Sequence, residues 1–313
     1  MSPPDLPCLE RRAADGSSAF RLSVQHFALL LLGVWAPFPV LGTDPDLSPP
    51  TFEYGLQVFE KPRPIRLHWI RVDLRSEVLQ VMPIVAQDPD GAGPAEATLT
   101  QPETLMRRAS ALAAINANAF QVLPGSQLAD GGWFENRPVI ISGWVVERGQ
   151  IRSPMDGPLE QLWVTTGGRP GFDASLPDPA LVDWAVGTHA AKHGVILRNG
   201  VVEAEDTPFS THLHPRTALG LDAEGARLWM VVVDGRTPGF SEGATLTELA
   251  SFMKTLGCRH ALNLDGGGST VMMLADETGA PRVMNRPSSG TTRPVPVLLG
   301  ICRKSAPARS TKD

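Results

Sequence analysis

The sequence has no basic excess: Lys+Arg number 28 against 33 Asp+Glu, a net charge of −5 over 313 residues. Without surplus cations to displace counterions from a phosphate backbone, DNA or RNA binding is excluded as a general role. Histidine and cysteine are scarce, at 7 and 3 residues, which argues against a zinc-cluster scaffold and a disulfide-dense mini-domain. No long apolar run is present either. The unbroken stretch Phe27-Ala-Leu-Leu-Leu-Leu-Gly-Val-Trp35 falls short of the ~20 residues that a spanning helix needs, and Pro37 and Pro39 break the chain just beyond it. Polarity is too low for a disordered chain, with 42% hydrophobic and 19% charged residues. Lysine is the rarest cation, 5 against 23 arginines, in a chain rich in Ala, Gly and Pro. That bias reads as a GC-rich bacterial genome.

Arg11, Arg12 and Arg21 precede the apolar stretch, and small residues (Ala36, Gly42) come after it. This order matches a secretory signal peptide and predicts export to the periplasm or the medium. Contact with a membrane is expected only through this segment, if it stays uncleaved as an anchor. The chain therefore divides into a signal peptide or anchor (1–42), a Pro/Asp-rich linker (43–50), one domain (51–303) and a flexible tail (304–313). Cleavage would remove Cys8 and leave Cys258 and Cys302, which either pair in an oxidising compartment or stay as two buried thiols.

Glycine and proline, 30 and 29 residues, favour many turns and short strands over a helix bundle. Strand patterns run over 52–59, 65–74 and 78–85, with Ile70, Val72 and Leu74 alternating against Arg71 and Asp73. Asn199-Gly200 marks a tight hairpin. Arg227 to Val233 is apolar enough for a central strand. Thr100-Gln-Pro-Glu103 and Thr245-Leu-Thr-Glu248 both read as capping boxes opening helices. After the second, Leu246, Leu249, Ala250, Met253 and Leu256 share one face, and Gly257 stands at the left-handed cap. The expected fold is α+β: a single domain of mixed, largely antiparallel sheet with a few packed helices.

The most informative segment is Asp265-Gly266-Gly267-Gly268-Ser269-Thr270, between two apolar strands. Three glycines lose much conformational freedom on folding, a cost offset where backbone must approach a ligand closely or present amides to an anion. It is no P-loop, because position 268 is Gly where Lys is required. It is no nucleophile elbow, because position 271 is Val. Asp234-Gly235-Arg236 comes directly after the central strand, and Arg216 and Arg293 precede two further apolar strands. Guanidinium groups suit phosphate oxygens. His212 and His214, and His189 and His193, lack a third partner, so neither pair reads as a zinc centre. Trp133, Trp144, Trp163, Trp184 and Trp229 read as core or strand-face residues, with stacking of one on a sugar left open.

The segments HPRTALGLD, VVVDGRTPGFSEGATLTELASFMKTLGCRHALNLDGGGSTVMM and NRPSSGTTRPVPVLLGI, taken in order, resemble the phosphodiester glycosidase family over roughly residues 51–302. Members usually carry an Asn-Gly-Gly-Phe-Phe-like segment. Here the corresponding residues are Asn116-Ala117-Asn118-Ala119-Phe120, with both glycines replaced, which points to a different substrate within the family. The resemblance implies cleavage between an anomeric carbon and a phosphate that is itself esterified. Such a reaction expels a phosphate monoester, whose second ionisation lies near ~6, so strong general-acid help is dispensable. On this basis Arg216, Arg236 and Arg293, with amides of Gly266, Gly267, Gly268 and Ser269, would clamp the phosphate. Asp265 would be nucleophile or general base and Asp234 the second carboxylate, while Asn116 and Asn285 would orient sugar hydroxyls or phosphate. No cofactor is required, and the expected partner is a glycosyl phosphodiester or phosphorylated glycan. Two alternatives stay open: a metal-dependent phosphodiesterase with Asp234, Asp265 and Asn116 around a divalent cation, and a non-catalytic envelope protein that binds a phosphorylated glycan.

Overall fold

The computed structural model describes residues 52–123, 132–155, 160–172, 178–188, 193–204 and 206–304. All of these lie in one compact unit, Pro37–Asp313. The expected signal segment, the linker, His189 and the tail beyond Lys304 lie outside the described residues.

The chain opens with the hairpin β1 (Phe52–Phe59) and β2 (Ile65–Asp73), followed by β3 (Leu79–Val85). Next come β4 (Ala97–Thr98), α1 (Pro102–Arg108), β5 (Ala113–Asn116) and β6 (Phe120–Val122). The middle of the chain is dominated by strands: β7 (Pro138–Ile141), β8 (Val145–Glu147), β9 (Gln150–Ser153), β10 (Glu160–Thr165), β11 (Pro170–Phe172) and β12 (Val182–Thr188). The hairpin β13 (Val195–Arg198) and β14 (Val201–Val202) precedes α2 (Pro208–Thr211), β15 (Arg216–Leu221) and β16 (Arg227–Val233). The last third holds α3 (Leu246–Thr255), β17 (His260–Asn263), β18 (Met272–Ala275), β19 (Pro281–Val283) and β20 (Val297–Arg303).

Seven strands form one sheet in the order β1-β2-β16-β15-β17-β13-β14. Two five-stranded sheets, β11-β10-β12-β8-β9 and β19-β18-β5-β20-β3, and a three-stranded one, β4-β7-β6, complete the set among the described residues. Every pairing between these strands is antiparallel. The expected α+β class is therefore corrected to mainly β, because the helices are few and short and most apolar burial is between sheets.

The central strands β15 and β16 of the seven-stranded sheet are buried on both faces, which explains the uninterrupted apolar sequence of β16. Leu228, Met230 and Val232 enter the larger core together with residues of β3, β5 and β20. Trp229, Val231 and Val233 point the other way, against Leu246, Leu249, Ala250 and Met253 of α3. Helix α3 starts as its sequence predicts: Thr245 Oγ1 accepts from Glu248 N at 3.1 Å, and Glu248 Oε2 accepts from Thr245 N at 2.9 Å. Gly257 lies just past its end at φ +101°, and Asn199 and Gly200 take the positive φ of the hairpin turn.

The first capping box does not form. Thr100 bridges to Val295, its hydroxyl donates to Thr98 O at 3.1 Å, and Glu103 instead accepts from the Thr292 hydroxyl at 2.9 Å. Helix α1 is capped by Gln101 without a side-chain bond. The two cysteines are both buried and unpaired, Cys258 beneath α3 and Cys302 in the larger core.

Candidate active site

Strand register gathers the site. Arg216, which opens β15, pairs with Val233 at the end of β16, and Ala218 pairs with Asn263 at the end of β17. The segments that leave β16 and β17, carrying Arg236 and Asp265, therefore emerge at the sheet edge where Arg216 enters. β15 separates the two strands, so they flank it rather than neighbour each other. A cavity of about 340 Å³ opens there, lined by Arg216, Arg236, Asp265, Arg293 and the three glycines Gly266, Gly267 and Gly268. A wider one of about 670 Å³, lined by Trp133, Phe134 and Glu135, shares Arg236, Gly268 and Arg293 with it.

Asp265 is the one carboxylate of the smaller cavity among the described residues. Burial pushes its pKa up, while the Arg293 charge, the Ser269 hydroxyl and the Gly266 amide pull it down. Its side chain keeps 18% exposure, enough to meet a ligand. Arg293 Nη2 stands 3.4 Å from Asp265 Oδ2 and also donates to Ser269 Oγ. Ser269 thus accepts from Arg293 while its hydroxyl helps to lower the Asp265 pKa. Phe120 and Trp133 lie under the Arg293 guanidinium, 5.5 and 5.8 Å from their ring centres. Burial holds the Arg293 pKa below its usual value.

Arg236 sits at φ +57°, a left-handed conformation that costs a side-chain-bearing residue. Its Nη2 donates to His214 Nδ1 at 3.2 Å, and it has no carboxylate partner among the described residues. His214 is depressed by burial and by the charges of Arg216 and Arg236, which suits its role as the acceptor. Arg216 is differently employed from the clamp expected of it. Its Nε donates to Ala244 O at 3.0 Å, and its Nη2 to Phe209 O and His212 O at 2.8 and 3.0 Å. Burial and the Arg236 charge bring its pKa down to about 10. It contributes positive potential and fixes the wall.

The glycines have a steric reason. A Cβ on Gly267, itself at φ +60°, would lie 3.1 Å from Arg236 Nη2, and one on Gly268 3.2 Å from Arg293 Nη1. The amides are mostly spent: Gly267 N donates to Pro215 O, Ser269 N to Gly266 O and Gly266 N to the Asp265 carboxylate. Only the Gly268 N–H of this turn lacks a partner among the described residues, so the expected four-amide clamp reduces to one.

Three expected site residues face elsewhere. Asp234 is 1% exposed. Its Oδ1 accepts from Arg286 N at 2.8 Å and Asn285 Nδ2 at 3.2 Å, and its Oδ2 lies 3.2 Å from His68 Nε2. It anchors the loop before β20 and is not a second carboxylate of the cavity. Asn285 is saturated by Met272 N, Asp234 and Thr270 O. Asn116 donates to Asp265 O at 2.6 Å and accepts from the Thr217 hydroxyl and Val271 N at 2.8 and 3.1 Å. The oxygens of Asp234, Asp265 and Asn116 therefore do not converge on a common cation position, and no group of three or more His, Cys, Asp or Glu able to hold a metal occurs among the described residues.

Sequence reasoning missed His214, dismissed with the histidine pairs, and Asn263, which is among the residues lining the cavity. The signal for both was their position, two residues before Arg216 and two residues before Asp265.

Residues 109–302 match the family model described as phosphodiester glycosidase. The chain belongs to the phosphodiester glycosidase family. A search of curated proteins gave no match. Among solved structures, the fold is similar to the zebrafish N-acetylglucosamine-1-phosphodiester α-N-acetylglucosaminidase catalytic domain, auto-inhibited by its pro-peptide. That similarity has a TM-score of 0.60 at 22% identity, over 80% of this chain and 83% of that one. A hypothetical Synechocystis protein (TM-score 0.52, 16% identity, 79% and 62% covered) and an exported protein assigned as putative from Burkholderia pseudomallei (0.52, 14%, 76% and 74%) share the fold. At these identities the structural likenesses establish the architecture of this family member alone.

Proposed function

We propose that the protein is an exported hydrolase, periplasmic or secreted, that cleaves glycosyl phosphodiesters to a free sugar and a phosphate monoester. The observation that carries this reading is the meeting of Asp265 with Arg236 and Arg293 in one cavity walled by glycines. Arg236, Arg293 and the Gly268 N–H hold the phosphate, and Arg216 adds to the field. The bond from the anomeric carbon to the phosphate oxygen breaks, its electron pair leaves with the phosphate, and the paired guanidiniums neutralise the developing charge. Asp265 supplies the carboxylate at the anomeric carbon, as nucleophile or as the base that takes a proton from attacking water. A single carboxylate suffices because the leaving group is a weak base. The export reading rests on the basic-then-apolar N-terminal pattern.

The test is hydrolysis of a panel of glycosyl-1-phosphodiesters by the protein lacking residues 1–42, run in heavy-oxygen water. Label appearing in the sugar supports the glycosidase. Label in the phosphate points to a phosphodiesterase instead, and binding without turnover to a glycan-binding protein. Either result overturns the proposal.

A further inference from the structure

Asn263, the last residue of β17, lines the same cavity and is 4% exposed. Its Nδ2 donates to His193 O at 3.1 Å, which fixes which end of the amide is which. The other end, Oδ1, is buried and has no hydrogen-bond partner among the described residues. An amide oxygen removed from water without a partner opposes folding, and at a strand end where packing alone was at stake an apolar side chain would serve better. Leu264 N continues the ladder to Thr217 O, so the chain is still extended between Asn263 and Asp265. Two such residues span about 7 Å and project to one side, roughly the width of one pyranose ring. The described lining of the cavity also includes Ala119, Thr188, Phe209 and His214, and holds no carboxylate besides Asp265.

We infer that Asn263 is a specificity residue: its Oδ1 accepts a hydrogen bond from a hydroxyl or acylamino N–H of the glycosyl group whose anomeric carbon faces Asp265. The inference rests on the hydrolase reading of this cavity, but its test does not need turnover.

The probes are the α-1-phosphates of glucose, galactose, mannose and N-acetylglucosamine, with analogues lacking one hydroxyl or the acylamino group. Each is titrated calorimetrically against the full chain and against Asn263→Leu, or Asn263→Ala where the isosteric variant does not fold. At one ring position, deletion weakens binding to the wild type about tenfold and leaves the variant's affinity unchanged, while Asn263→Asp, which keeps an acceptor oxygen, still discriminates. Losses that add at every position, or a wild type that binds none of the probes, overturn the inference. The hydrolase reading fails separately, through absence of turnover in a protein that still shows the non-additive pattern.

Discussion

Asn116 Nδ2 donates to the main-chain carbonyl of Asp265 at 2.6 Å. The same side chain accepts from Thr217 of β15 and Val271, which precedes β18. One amide thus ties β5, β15 and the turn after β17 together and sets where Asp265 leaves its strand. Asn116→Ala strands several buried polar groups at once and is expected to cost about 2–4 kcal/mol of stability. Denaturant titration should show that loss. A drop in activity with unchanged stability would mean that Asn116 meets substrate after all.

Asp265→Asn should abolish turnover and change stability in a pH-dependent way. Burial holds the Asp265 pKa above its ordinary value. A carboxyl shifted upward contributes stability that is complete below the unfolded pKa of ~3.9 and lost as pH rises through the folded one. Asn does not titrate, so the variant should gain on the wild type between acid and neutral pH. Melting temperatures across that range check it, and a wild-type advantage that grows with pH would contradict it.

Removing Arg293 takes away both the proposed phosphate ligand and the charge that pulls the Asp265 pKa down. Arg293→Gln is expected to lower kcat/KM by roughly 100- to 1000-fold. The acid limb of its residual pH–rate profile should move to higher pH. Arg293→Lys should recover only part of the loss, because a point charge cannot reach Ser269, Asp265 and a phosphate together.

Thr245→Ala probes the fold apart from the chemistry. The lost cap of α3 should cost about 1 kcal/mol, seen in urea unfolding. Neither Thr245 nor any residue of α3 lines the cavity, and the contact nearest the cap, Arg216 to Ala244 O, uses the main chain, so kcat/KM should change little.

The strands were readable because apolar runs and turn residues announce them locally: β1, β2, β16 and the Asn199-Gly200 hairpin lie where the patterns put them. The strands between β7 and β12 were not singled out, since they are short and interrupted by Gly and Pro without one dominant period. At the site, Asp234 and Asp265 carry the same local signal, an Asp-Gly after an apolar strand. What separates them is distant. His68 and Arg286, 166 and 52 residues away, claim the first, whereas the second pairs with Arg293 at the cavity wall. The two capping boxes differ likewise, because Val295 draws Thr100 into a bridge while Thr245 keeps both bonds to Glu248. Local pattern predicts what a segment offers, and register decides what accepts the offer.

At Gly267 and Gly268 a single hydrogen atom is all that stands between the main chain and two guanidinium groups. The width of this half of the cavity is therefore set by peptide units, which mutation cannot trim, and a larger residue would push a guanidinium aside by a few tenths of an ångström. On the proposed reading, divergence toward new sugars would proceed at lining positions that carry side chains, such as Ala119, rather than at this turn.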